Sequence, residues 1–215
     1  MAFSSLAPAQ NAEQIMTSVR QVAVLQGEQT LQGVIRKGAK KIPLNLFLRG
    51  QDIQFGINNG KEGFHLRLKE DSQELWEIVD GKPRRFQSKK IAAPIAGTDV
   101  SYEDLALKFL YWKKPWIAGS QKLNGIDCWR LHVVNPDKDG LYREVSVWVT
   151  KKGRALARVI GYGPRPNAIP LKQFEITGIM TVNGVQTVKD MKVTRFDKNR
   201  RVGGITYLEF ERPRR

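Results

Sequence analysis

The chain has 215 residues, 41% of them hydrophobic and 27% charged, and carries a net charge of +15. That size and apolar share suit one large domain or two small ones with a sizeable core, and the basic balance either favours anionic partners or serves to keep the protein soluble. One cysteine, Cys128, excludes an internal disulfide and any CxxC site; His65 and His132 lack metal-ligand spacing, so no metal is expected, and no apolar run is long enough to span a membrane.

The chain opens with small, uncharged residues, and Ala7-Pro8-Ala9 fits the small-x-small pattern of a signal-peptidase site. Residues 1–9 read as a signal-peptide remnant, which implies a location outside the cytoplasm, or as a disordered tail. Asn11 and Gln14 can cap a helix over about residues 12–25, with Ile15, Met16, Val19 and Val22 on one stripe. From Glu28 the period changes to two. Leu31, Gly33 and Ile35 alternate with polar residues, followed by Ile42, Leu44, Leu46 and Leu48, then Ile53, Phe55 and Ile57, then Phe64, Leu66 and Leu68. Turn residues at Arg49-Gly50-Gln51 and Asn58-Asn59-Gly60 separate these strands, and Asp80-Gly81 closes another that holds Trp76 and Ile78.

The run Gly97 to Trp116 is the strongly helical passage of the middle of the chain. Ser101 with Asp104 is a helix-start signature; Tyr102, Leu105, Phe109 and Trp112 recur at helical spacing, widened by Ala106 and Leu110. Pro115 places the helix end near Lys113. Strands then resume over 125–135, 141–150, 155–162, 171–182, 185–196 and 205–211, with Asn183-Gly184 the strongest hairpin signal. Ten or eleven hairpin-connected strands and two helices predict an α+β fold. The expected form is a curved antiparallel sheet, an incomplete β-barrel with helices covering its concave face, spanning residues 10–215 as a single domain. On shared parity, Leu44, Leu46, Phe55, Ile57, Phe64 and Leu66 form an apolar wall on that face. Leu105, Phe109 and Trp112 face it from the helix, either as core packing or as a lid over a ligand.

The run GTDVSYEDLALKFLYW, with NGIDCWRLHVVNP, YREVSVWVTKKG and RVGGITYLEFE, resembles the LolA-like outer-membrane lipoprotein-sorting proteins over nearly the whole chain. The resemblance implies an incomplete barrel with a helical lid over a hydrophobic cavity that holds the acyl chains of a lipoprotein in the periplasm. No short motif fixes individual ligand-binding residues. The charge of +15 belongs to this chain rather than to the family.

Catalytic signals are weak. There is no phosphate loop and no G-x-S-x-G elbow, and Glu103 and Asp104 are explained by helix capping. The expectation is a periplasmic, monomeric, non-catalytic carrier or binding protein without cofactor. Its partners would be acyl chains of a lipoprotein or other lipid and an anionic membrane surface, with no nucleic acid, because the basic clusters are not interleaved with aromatics. The alternative is an envelope regulatory or structural module that binds a partner protein, through an open sheet edge, or an anionic envelope component.

Overall fold

The computed structural model describes residues 11–24, 28–70, 72–137, 139–164 and 168–212. The stretch 1–9 lies outside them. Helix α1 (Ala12–Val24) starts where expected. Asn11 Oδ1 accepts the Gln14 N–H at 2.8 Å, and Gln14 Oε1 accepts the Asn11 N–H at 3.3 Å, a reciprocal cap. Ile15, Met16 and Val19 are buried, while the side chain of Val22 lies outside the described residues.

Thirteen strands follow among the described residues. The first six are β1 (Glu28–Lys37), β2 (Lys40–Arg49), β3 (Asp52–Ile57), β4 (Glu62–Leu68), β5 (Gln73–Val79) and β6 (Lys82–Arg85). The other seven are β7 (Trp116–Leu123), β8 (Ile126–Val134), β9 (Glu144–Thr150), β10 (Leu156–Tyr162), β11 (Pro170–Val182), β12 (Val185–Phe196) and β13 (Val202–Phe210). The two strands that periodicity misses, β6 and β7, are the two edges of the sheet. The first reads KPRR with every residue exposed, and the second shows no clean alternation. An edge strand that need not bury a side has no reason to alternate.

The strands make one curved, open antiparallel sheet in the order β6-β5-β4-β3-β2-β1-β13-β12-β11-β10-β9-β8-β7. Every neighbour is a sequential hairpin except β1 with β13, whose register pairs Arg36 with Tyr207 and Gly33 with Phe210. The tight turns are left-handed where asparagine, aspartate and glycine allow it: Asp80-Gly81 has φ of 50° and 73°, and Asn183-Gly184 has 51° and 80°.

This order forces the chain to travel from edge strand β6 to the opposite edge strand β7. Residues 86–115 make that crossing as a strap over the inner face. The strap carries helix α2 (Tyr102–Ala106), which is much shorter than expected, and a second turn of helix at Lys108–Tyr111. Between them Leu107 takes φ 50° and ψ 34°, which ends the hydrogen-bond ladder of α2. The reason is packing. One straight helix could present its apolar stripe to only one surface, whereas the broken strap serves two. Leu105 and Ala106 enter a core built on β1–β4 and β11–β13, and Phe109, Leu110 and Trp112 enter a second core built on α1 and β8–β10.

The sheet register puts Leu44 opposite Ile57, Leu46 opposite Phe55, Phe55 opposite Phe64 and Ile53 opposite Leu66. The six wall residues therefore share the inner face, with Phe47 on the outer face at 40% exposure.

Candidate functional site

The buried residues of the two cores form separate clusters, and the half-buried Tyr111 and Phe174 touch both. Between the two clusters, beneath the strap, lies a cavity of about 180 Å³. Its wall is drawn from both halves of the sheet: Leu46, Leu48, Ile53 and Phe55 on one side, Val145, Leu156, Val159, Phe174, Ile176, Met191, Val193, Leu208 and Phe210 on the other. Val100, Leu105, Leu107 and Phe109 of the strap close it. Of the residues read from the sequence, Leu46, Phe55, Leu105 and Phe109 line this space. Leu44, Ile57, Phe64 and Leu66 are buried behind it in the first core, and Trp112 packs in the second core against α1. The lining from β9 to β13 follows the same alternation as the expected wall, but from sequence alone nothing brings those strands opposite β2 and β3. Only the β1–β13 pairing does.

Polar contacts decide how firmly the cavity is covered. Along β1, β11, β12 and β13 the inward rows are apolar until the same end of the sheet, where each turns polar. Leu31, Gly33 and Ile35 lead to Lys37; Ile176 and Phe174 to Lys172; Met191 and Val193 to Arg195; Phe210 and Leu208 to Thr206. The acids of the strap meet these ends. Buried Asp99 accepts from Arg195 Nε at 2.7 Å, Lys37 Nζ at 3.1 Å and Thr206 Oγ at 3.1 Å. A Cβ at Gly204 would lie 2.7 Å from the Asp99 carboxylate, so this position must remain glycine for the strap to sit so close.

Asp104 caps α2 through the Ser101 N–H at 2.7 Å and also accepts from Lys172 Nζ at 2.7 Å and the Tyr142 hydroxyl at 2.5 Å. Glu103 accepts the Leu141 N–H at 2.6 Å; burial pushes its carboxyl above the ordinary range, against the pull of that N–H. Capping thus explains only part of what Glu103 and Asp104 do. Lys40 Nζ donates to the Ala96 carbonyl at 2.6 Å, Lys108 pairs with Asp139, and Arg20 of α1 donates to the Leu110 carbonyl at 2.6 Å. The strap is tied to the sheet, to α1 and to the β8–β9 loop. It is not the sparsely held cover that a freely moving lid would be.

Burial alone would raise the Asp99 carboxyl, but its bonds to Arg195, Lys37 and Thr206 outweigh that and hold it below its ordinary value. A carboxyl lowered in this way binds fewer protons folded than unfolded near pH 4, so it stabilises above that pH. The contribution is lost as the pH falls through the folded-state value. The stability gap between wild type and Asp99→Asn, read as urea midpoints, is expected to be wide at neutral pH and to shrink below about pH 4. A gap that stays constant across this range would mean that the carboxylate charge is not what holds the strap.

On the outer face, His132 lies 3.0 Å from both Ser146 Oγ and Glu144 Oε2, and its ring lies tilted against Trp116 with centroids 4.6 Å apart. The set has the residue types of a nucleophile, base and orienting acid. However, Ser146 sits in mid-strand, paired with His132 on one side and Ile160 on the other, so its own N–H belongs to the ladder rather than to an oxyanion site. The arrangement braces the β8–β9 pair.

A family model whose description reads "-like: Uncharacterized protein" matches residues 64–213. No curated protein sequence matches the chain. Among solved structures, a DUF1329 family protein of Desulfovibrio piger is 18% identical, with a TM-score of 0.70, over 92% of this chain and 89% of that one. A LolA superfamily protein of Nitrosomonas europaea is 14% identical, with a TM-score of 0.68, over 94% and 92%. A putative outer membrane lipoprotein-sorting protein domain of Vibrio parahaemolyticus is 16% identical, with a TM-score of 0.68, over 91% and 88%. Well over half of the chain lies within the family model, so the protein belongs to the family that model describes, and its fold is that of the LolA-like lipoprotein-sorting proteins.

Proposed function

We propose that the protein is a non-catalytic carrier of the bacterial periplasm that holds acyl chains of a lipoprotein or another amphiphile, as in outer-membrane lipoprotein sorting. The observation that carries this reading is the apolar cavity between two cores that the strap spans without filling. A protein interior is normally close-packed, and an unfilled apolar space forgoes packing that its lining would otherwise gain. Each methylene moved into it from water contributes about 0.8 kcal/mol.

At about 180 Å³ the space exceeds only slightly the roughly 150 Å³ cavity known to admit a benzene ring, so it accepts a short apolar segment and not a whole acyl chain. Loading therefore requires it to widen. The half of the strap up to Ala106 is pinned by Asp99, Glu103 and Asp104, whereas Leu107 adopts a left-handed conformation uncommon for a bulky residue. Leu107 is the point about which the following turn, with Phe109, would swing once its own ties, Lys108 to Asp139 and Arg20 to the Leu110 carbonyl, are released.

Native mass spectrometry of the purified protein, with organic extraction and lipid analysis of the same sample, tests the reading. A co-purified acyl species, or uptake of a fluorescent fatty acid by the emptied protein, is expected. An empty protein that takes up no fatty acid would contradict it.

A further inference from the structure

The pairing of β1 with β13 puts two hairpin tips, about 160 residues apart in the chain, at the same end of the sheet on neighbouring hairpins, with the β12–β13 tip reaching a few residues farther out because Arg36 pairs with Tyr207. The β1–β2 tip reads KGAKK over 37–41, and the β12–β13 tip reads DKNRR over 197–201. Together they hold Lys37, Lys40, Lys41, Lys198, Arg200 and Arg201 against one carboxylate, Asp197. That carboxylate is occupied within its own turn by the N–H groups of Asn199 at 2.8 Å and Arg201 at 2.9 Å. All but Lys37 of these cations are exposed. Beside them Val202 is 59% exposed, an aliphatic side chain at the base of a cationic tip.

We propose that these adjoining tips are the docking surface of the protein for an anionic phospholipid bilayer. The features favour a bilayer over an acidic protein. Protein interfaces centre on large aromatic anchors together with arginines, and the tips offer Arg200 and Arg201 but no aromatic residue. Flexible cationic heads on protruding tips instead match a flat, laterally mobile array of negative headgroups, where each added Lys or Arg strengthens binding. The tips also flank residues 96–99 of the strap, since Lys40 holds the Ala96 carbonyl and Arg195, just below the second tip, holds Asp99. Docking there would bring the pinned end of the strap to the membrane. The proposal does not require the cavity to hold an acyl chain.

Charge reversal separates local docking from net charge. One variant carries Lys41→Glu, Lys198→Glu, Arg200→Glu and Arg201→Glu. The other carries Arg85→Glu, Lys89→Glu, Lys122→Glu and Lys152→Glu, which are exposed cations on other elements. Both variants have the same net charge. Sedimentation with phosphatidylglycerol–phosphatidylcholine vesicles is expected to show salt-sensitive binding of wild type, a loss of roughly a hundredfold or more for the tip variant, and a much smaller loss for the other. Thermal unfolding and fatty-acid uptake measured on both variants check that each remains folded with its cavity intact. Equal losses in the two variants, equal binding of wild type to pure phosphatidylcholine, or no binding of wild type to anionic vesicles would each overturn the proposal.

Discussion

Replacing Lys172 by Met is expected to destabilise the protein by about 3–5 kcal/mol, among the largest losses of any single strap contact. The Asp104 side chain is 1% exposed and that of Lys172 is 10% exposed, at 2.7 Å from each other. Removing the ammonium leaves a carboxylate out of water, with the Tyr142 hydroxyl and the Ser101 N–H as its remaining donors. The same reasoning predicts rescue. Combining Lys172→Met with Asp104→Asn removes the uncompensated charge and should recover much of the loss, because the amide oxygen can still accept the Ser101 N–H while its NH2 donates to the Tyr142 hydroxyl oxygen. Urea unfolding of the two single variants and the double variant checks this. A cost for Lys172→Met below about 1 kcal/mol, the range of an exposed pair, would mean that water reaches Asp104 and that the strap is not pinned there.

That ion pair also shows where the sequence could be read and where it could not. The strands of the meander are legible because each has one wet and one dry side, and Asn183-Gly184 or Asp80-Gly81 can hardly be anything but turns. The inner-face parity of Leu44, Leu46, Phe55 and Ile57 follows from the same alternation. Lys172 and Arg195 sit on the inward parity of otherwise apolar rows, and the acids GTDVSYED precede an apolar stripe in a strongly basic chain. Those two signals fit each other, but matching them requires knowing that the strap crosses the sheet. The crossing depends on β1 pairing with β13, a contact between distant segments that leaves no local mark. The break at Leu107 is hidden for a related reason. Helical periodicity runs through it undisturbed, and only the presence of two separate cores makes a straight helix unsuitable.

Phe109 and Trp112 are expected to behave differently, although they share one sequence stripe. Trp112 is buried against α1 and β8–β10 and does not reach the cavity. Its truncation to Ala should cost about 3–5 kcal/mol and leave fatty-acid affinity unchanged. The cost falls toward the low end of that range, because its buried indole N–H has no acceptor among the described residues and its loss removes an unsatisfied donor. Phe109 has the cavity on one side and so loses fewer packed neighbours when truncated. Phe109→Ala should cost less stability than Trp112→Ala and change fatty-acid affinity by tenfold or more, equivalent to about 1.4 kcal/mol. Thermal melts beside fluorescence titrations of each variant separate these outcomes. Equal stability costs with no change in binding for either would make the strap a plain core element.

If the space beneath the strap is where an acyl chain goes, filling it should abolish binding. Leu46 lines that space from β2 and is only partly buried, so a larger side chain there has somewhere to point. Titration of wild type and Leu46→Trp with a fluorescent fatty acid, with thermal unfolding of both, is the most direct measurement. The variant is expected to melt close to wild type and to lose most of its binding, because the indole occupies the volume the ligand needs. A stable Leu46→Trp protein that binds the fatty acid as tightly as wild type would place the ligand elsewhere and contradict a role for this cavity in acyl binding.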